Sequence, residues 1–144
     1  MKYTYDYFMF EKDVNTIISN IKKKYDYVVG IKRGGLIPAV CISHALHIPM
    51  YSLDWSNRDY PANNDNARVI QPNSKILLVD DICDTGETIM QIKDLYSFCD
   101  IDTAVLLYNL DQPHIPNYYG RSFSRKTEPD WIVFWWEDIN TYAT

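Results

Sequence analysis

Residues Ile76–Ile89, ILLVDDICDTGETI, constrain this chain more than any other stretch. Four apolar residues, Ile76 to Val79, run straight into two adjacent carboxylates, Asp80 and Asp81. Asp84-Thr85-Gly86-Glu87-Thr88 follows, and then a helical pattern. An uninterrupted apolar run this short, β-branched at both ends, reads as a strand buried on both faces in a parallel sheet. Asp84 or Thr85 is placed to cap the helix that follows. The segment is therefore strand, tight loop, helix N-terminus. Unpaired backbone N–H groups and the helix dipole make such a helix start an anion site. Gly86 lets the backbone approach a phosphate closely, and Thr85 and Thr88 add hydroxyl donors. The two upstream carboxylates would repel the same phosphate, so they suit hydroxyl groups or a divalent cation. A sugar with vicinal hydroxyls and a 5′-phosphate carries both features.

The rest of the chain alternates in the same way. Glu11–Lys24 has helical spacing at Val14, Ile17, Ile18 and Ile21, with Lys22-Lys23-Lys24 as a favourable basic C-terminus. Tyr27–Ile31 reads as a strand, Gly35–His47 as a helix ended before Pro49, and Pro49–Leu53 as a short strand. Asn57–Asn73 is a long polar loop, of the kind that is usually functional in a compact domain. After the motif strand come a helix from about Thr85 to Phe98, a strand near Thr103–Tyr108 and a last strand at Trp131–Trp135. Alternating units of this kind predict an α/β fold, a central, mainly parallel sheet flanked by helices. Ligands of such sheets bind beyond the C-terminal strand ends, where the motif loop and the loop after Ile31 both lie. With 144 residues, no repeat and no dividing linker, residues 1–144 read as one domain.

Bulk properties narrow the chemistry. At 47% hydrophobic residues the chain is globular, and a net charge of −5 with no basic stripe argues against nucleic acid or an anionic membrane as partner. No apolar stretch reaches membrane-spanning length. Cys41, Cys83 and Cys99 are odd in number and fit neither a zinc site nor a CxxC pair, so they read as free thiols of a reducing cytoplasm. Cys83 reads as a small filler in the phosphate loop. No Walker A sequence occurs, which argues against a P-loop nucleotidase.

Val29–Ala39, VGIKRGGLIPA, supplies a second anion cradle: two cations and two glycines, Lys32 to Gly35, at the start of another helix. Two cradles suit a ligand whose phosphate groups are held apart. Apolar strand, Asp-Asp, then Asp-Thr-Gly-x-Thr resembles the phosphoribosyl pyrophosphate (PRPP) signature of type I phosphoribosyltransferases. The resemblance spans nearly the whole chain and points to the short enzymes for hypoxanthine, guanine or xanthine. It implies the type I phosphoribosyltransferase (Rossmann-like) fold, with a small hood and lid formed by the chain termini and the 54–73 loop. It also implies a purine base and PRPP as substrates, a homodimer, and magnesium (Mg2+) held with Asp80, Asp81 and Glu137.

Residue by residue, the resemblance assigns the ribose hydroxyls to Asp80 and Asp81. The proton of the purine imidazole nitrogen goes to Asp84. The 5′-phosphate goes to Asp84, Thr85, Gly86, Glu87 and Thr88. Pyrophosphate goes to Lys32, Arg33, Gly34 and Gly35, with a cis peptide expected between Lys32 and Arg33. Asp54–Asp59 resembles the start of the lid that keeps water from the ribosyl centre, with Ser56 and Arg58 available to hold pyrophosphate. Trp131 matches the residue that stacks on the base and Ile132 the one whose backbone reads its edge, whereas Trp135 and Trp136 read as core or dimer surface. One departure stands out. The resembling enzymes place a lysine against the purine 6-oxo group, but here the region reads Leu107-Tyr108-Asn109-Leu110-Asp111, and no lysine occurs between Lys93 and Lys126. The donor is missing, replaced by Asn109, or supplied from elsewhere. That keeps open a non-catalytic PRPP or nucleotide regulator on the same fold. A pyrimidine or amino-transfer member is opposed by Trp131.

Overall fold

The structure, a computed structural model, describes residues 2–55, 70–127 and 131–138. In chain order its elements are β1 (Lys2–Tyr5), α1 (Tyr7–Asn20), β2 (Tyr27–Ile31), α2 (Leu36–Leu46), β3 (Met50–Leu53) and β4 (Lys75–Cys83). There follow α3 (Glu87–Leu95), β5 (Asp100–Asn109), β6 (Tyr118–Phe123) and β7 (Trp131–Phe134).

The motif strand β4 organises the molecule. Ile76 and Leu78 join the apolar cluster on one side of the sheet, with Ile89 and Ile92 of α3. Leu77 and Val79 join the cluster on the other side, with Val14 and Ile17 of α1 and Ala39 and Ile42 of α2. Period-two alternation thus buries both faces, as the continuous apolar run requires. The five strands are ordered β3-β2-β4-β5-β6, and every pairing is parallel. The α/β sheet flanked by helices is the expected one. A second, two-stranded sheet pairs β1 with β7 in parallel, Lys2 opposite Trp131 through Tyr5 opposite Phe134.

Several boundaries differ from the sequence pattern. Helix α1 begins earlier, where the Asp6 side chain accepts the Met9 N–H at 2.9 Å, and it ends at Asn20 as Ile21 turns extended. The lysines therefore lie beyond the helix and are not its last turn; Lys23 instead reaches Asp102 of β5 at 2.9 Å. Gly86 holds the N-cap position of α3, and it is the Thr85 hydroxyl, not Asp84, that accepts a helix N–H, from Glu87. β4 carries its pairing with β5 beyond the apolar run through Asp80 to Cys83. β1 and β6 had no apolar run to announce them: in each only the last residue is buried, Tyr5 and Phe123.

Candidate active site

Strand order reverses between β2 and β4: β3 lies outward of β2, whereas β5 and β6 extend the sheet beyond β4. Parallel sheets open a crevice at such a switch point, beyond the carboxyl ends of the strands. Lys32–Gly35 leaves β2 there, and Asp80–Thr88 forms the end of β4 and its loop. The two segments touch, because a Cβ added to Gly34 would fall inside the Asp81 carboxylate. Gly35 is as tightly held, since its Cβ would lie 2.6 Å from the carbonyl oxygens of both Ile31 and Val79. The Lys32–Arg33 peptide is cis. The Lys32 N–H donates to the Leu53 carbonyl at 2.8 Å, tying this turn to β3 as well.

The acidic pair is bound up with its own backbone. The Asp81 N–H donates to Asp80 Oδ1 at 2.9 Å, and the Ile82 N–H donates to Asp81 Oδ1 at 2.8 Å. Burial, reinforced by the neighbouring Asp81 charge, pushes the Asp80 carboxyl well above the usual range. Burial also raises Asp81, and the charge of Glu137 adds to the effect. The Cys83 thiol is pushed up to about 11 by burial and the charges of Asp80 and Asp84. It is thus protonated and unreactive at neutral pH, in keeping with a filler.

In the following loop Gly86 adopts φ 81°, a left-handed conformation that favours glycine, and it opens α3. The Glu87 N–H donates to Thr85 Oγ1 at 3.2 Å. Asp84, just before it, is gripped from two directions. Arg125 Nε and Nη2 donate to its two oxygens at 3.2 and 2.8 Å, and Asn109 Nδ2 donates to Oδ1 at 3.2 Å. Asn109 is buried, and its own Oδ1 accepts the Asp111 N–H at 3.0 Å. Its amide is thus directed at the protein's own groups. Sequence reasoning did not single out Arg125. It lies in a turn after β6 with no motif around it, and the absent lysine was the one hint that a cation must come from elsewhere.

At the paired termini, Trp131 is 64% exposed at the start of β7, and Ile132 lies opposite Tyr3. Trp135 and Trp136 pack their rings on Phe10, and Trp136 stacks on Phe134 with centroids 4.6 Å apart, so both lie half-buried against the core. Glu137 Oε1 accepts the Phe134 N–H at 2.9 Å. Among the described residues no three His, Cys, Asp or Glu side chains converge as a metal-holding group. Ser56 and Arg58 lie outside the described residues.

The model of the phosphoribosyl transferase domain matches residues 8–137, which span every one of these segments. The chain belongs to this family. As a phosphoribosyltransferase it is a pentosyltransferase. It is 30% identical over 124 residues to the xanthine-guanine phosphoribosyltransferase of Cereibacter sphaeroides, covering 81% of this chain and 71% of that protein. Among solved structures it is similar to a purine phosphoribosyltransferase from Pyrococcus horikoshii, with 27% identity, a TM-score of 0.76 and 94% of both chains covered. The xanthine-guanine-hypoxanthine phosphoribosyltransferase of Helicobacter pylori shares the fold at 20% identity, with a TM-score of 0.75 over 99% of each chain. Phosphoribosyltransferases generally use magnesium with PRPP, and the donors here fit that ion. Magnesium favours one or two carboxylates plus substrate phosphates and water over an all-protein cage. Asp80 and Asp81 are two hard-oxygen donors whose charges are costly to bury together, a cost that a divalent cation offsets.

Proposed function

We propose that this phosphoribosyltransferase transfers the 5-phosphoribosyl group of PRPP to a 6-oxopurine, hypoxanthine, guanine or xanthine, releasing pyrophosphate and forming the nucleoside 5′-monophosphate. The observation that carries the reading is the pair of anion cradles at one switch point, one after β2 and one after β4, joined at the Gly34–Asp81 contact. The backbone of Asp84–Thr88 takes the 5′-phosphate at the start of α3, and Lys32–Gly35 takes the pyrophosphate. Asp80 and Asp81 between them hold the ribose hydroxyls, and their negative charge favours the cationic ribosyl centre of the transition state. Asp80 and Asp81 would also hold magnesium, with Glu137 near enough to Asp81 only to add its charge, and the ion would neutralise the leaving pyrophosphate. As the glycosidic bond forms and the bond to pyrophosphate breaks, Asp84 takes the proton of the purine imidazole nitrogen. Ser56 and Arg58 of the 54–73 lid would close over the pyrophosphate, and β1 with β7 would form the hood.

Support for a purine comes from the exposed ring of Trp131 and from relatives named as purine enzymes. The test is pyrophosphate release from PRPP and magnesium with each of hypoxanthine, guanine, xanthine, adenine, uracil and orotate. Release with the 6-oxopurines is expected, with adenine poor. Asp84→Asn should lower turnover by about 10²–10⁴ while PRPP binding holds. Preference for uracil or orotate, or binding of PRPP with no turnover on any base, overturns the reading.

A further inference from the structure

The imidazole nitrogen N7 and position 6 of a purine lie side by side on one edge of the ring. A side chain that takes the N7 proton therefore has a neighbour facing position 6. In the reading above Asp84 takes that proton, and two donors flank it. Asn109 is buried and directed inward, toward Asp84 and the Asp111 N–H. Arg125 stands in the turn that follows β6, partly exposed, with its guanidinium carbon 5.0 Å from the centre of the Phe123 ring. Two of its nitrogens span both Asp84 oxygens. The carboxylate and the guanidinium thus form a side-by-side acceptor and donor pair, the complement of a protonated N7 beside a carbonyl.

We propose that Arg125 is the residue that reads the purine 6-oxo group, a role resting on the function proposed above. Its guanidinium, held in register by Asp84, donates to the 6-oxygen while Asp84 accepts the N7 proton. The chemistry favours this arrangement twice. Loss of the N7 proton leaves negative charge that the ring spreads onto the 6-oxygen, and a cation there stabilises it. A 6-amino group instead sets donor against donor, so adenine is selected against. A planar fork with five donors can engage the carboxylate and a carbonyl together, which a lysine ammonium does less well.

The test is steady-state pyrophosphate release for wild type, Arg125→Ala, Arg125→Lys and Arg125→Gln. The bases are hypoxanthine, adenine and purine without a 6-substituent, and each variant's fold is checked by circular dichroism. Arg125→Ala should lower kcat/KM for hypoxanthine about 10- to 100-fold. Relative to unsubstituted purine, which reports any shared loss from loosening Asp84, hypoxanthine should fall by that factor and adenine, freed of the donor facing its 6-amino group, should gain, so that the hypoxanthine preference collapses. Arg125→Lys should restore part of that preference and Arg125→Gln less. If Arg125→Ala fails to fold, the Lys and Gln variants carry the same comparison. Equal losses on all three bases would mean that Arg125 only holds Asp84 in place, and the inference fails. An unchanged preference overturns it too. Wild type inactive on every base overturns the proposed function and this inference with it, whereas wild type active on hypoxanthine isolates failure to Arg125.

Discussion

Asp80 sits where a negative charge is costly: burial is the largest cause of its raised pKa, and the charge of Asp81 is the next. An unfolded aspartate titrates near 3.9. The folded protein therefore holds a proton that the unfolded chain has lost, over the window from about pH 4 up to the raised value. Stability from this group is fully present below that window and falls as pH rises through it. Asp80→Asn keeps the shape and removes the charge. In thermal melts without magnesium the variant should exceed wild type at pH 8, by about 2–4 °C for each kcal/mol relieved, and the gain should shrink toward pH 4.5. A variant that melts at or below wild type at pH 8 would mean that the carboxylate is not strained. Turnover should be lost, because in the proposed reaction the same charge faces the ribosyl centre. This is the familiar opposition of stability and activity at a working site.

Among the elements, α1, β1 and β6 share one buried carboxylate within the apolar cluster that Tyr5, Val14 and Phe123 also join. Asp13 of α1 accepts from Arg121 of β6 at 2.7 and 3.1 Å and from the Tyr5 hydroxyl at the end of β1. Gly120 makes room for it, since a Cβ there would fall on the Asp13 side chain. Burial, with Asp13 beside it, drives the Tyr5 hydroxyl far above its ordinary range, so it stays a donor. Asp13→Ala would leave Arg121 and Tyr5 without their acceptor. We expect a loss of about 3 kcal/mol in urea unfolding, the low end for a broken buried pair because Arg121 keeps some solvent contact. A loss below about 1 kcal/mol would assign the tie between these elements to other contacts. The same network explains what the sequence concealed. β2 and α2 were legible to within a residue or two because their cores are local apolar runs, and β3, which buries only Leu53, because Pro49 marks its start. β1 and β6 hold their places through side-chain ties and pairing to distant strands, and neither leaves a periodic apolar trace.

At the scale of the whole molecule, the two turns proposed as phosphate cradles were legible as strand-to-helix turns because each lies within one short segment. The convergence of Arg125 and Asn109 on Asp84 was not, because it joins residues 41 and 25 positions apart and follows from the sheet order alone. The proposed base platform lies between these cases: Trp131 was picked out by its place in the resemblance, and the fold separates it from Trp135 and Trp136, which are partly buried against the core. Trp131 stands on the small β1–β7 sheet, where the two ends of the chain meet. At 64% exposed it contributes little to the core, so Trp131→Ala should change stability by less than about 0.5 kcal/mol. Stacking on a base is worth about 1–3 kcal/mol. In initial-rate kinetics the variant should therefore raise the KM for hypoxanthine by about 5- to 100-fold and leave the KM for PRPP within about 2-fold. The asymmetry matters more than the size of the effect. A general loosening of the site would move both constants together, and that result would place the purine away from Trp131.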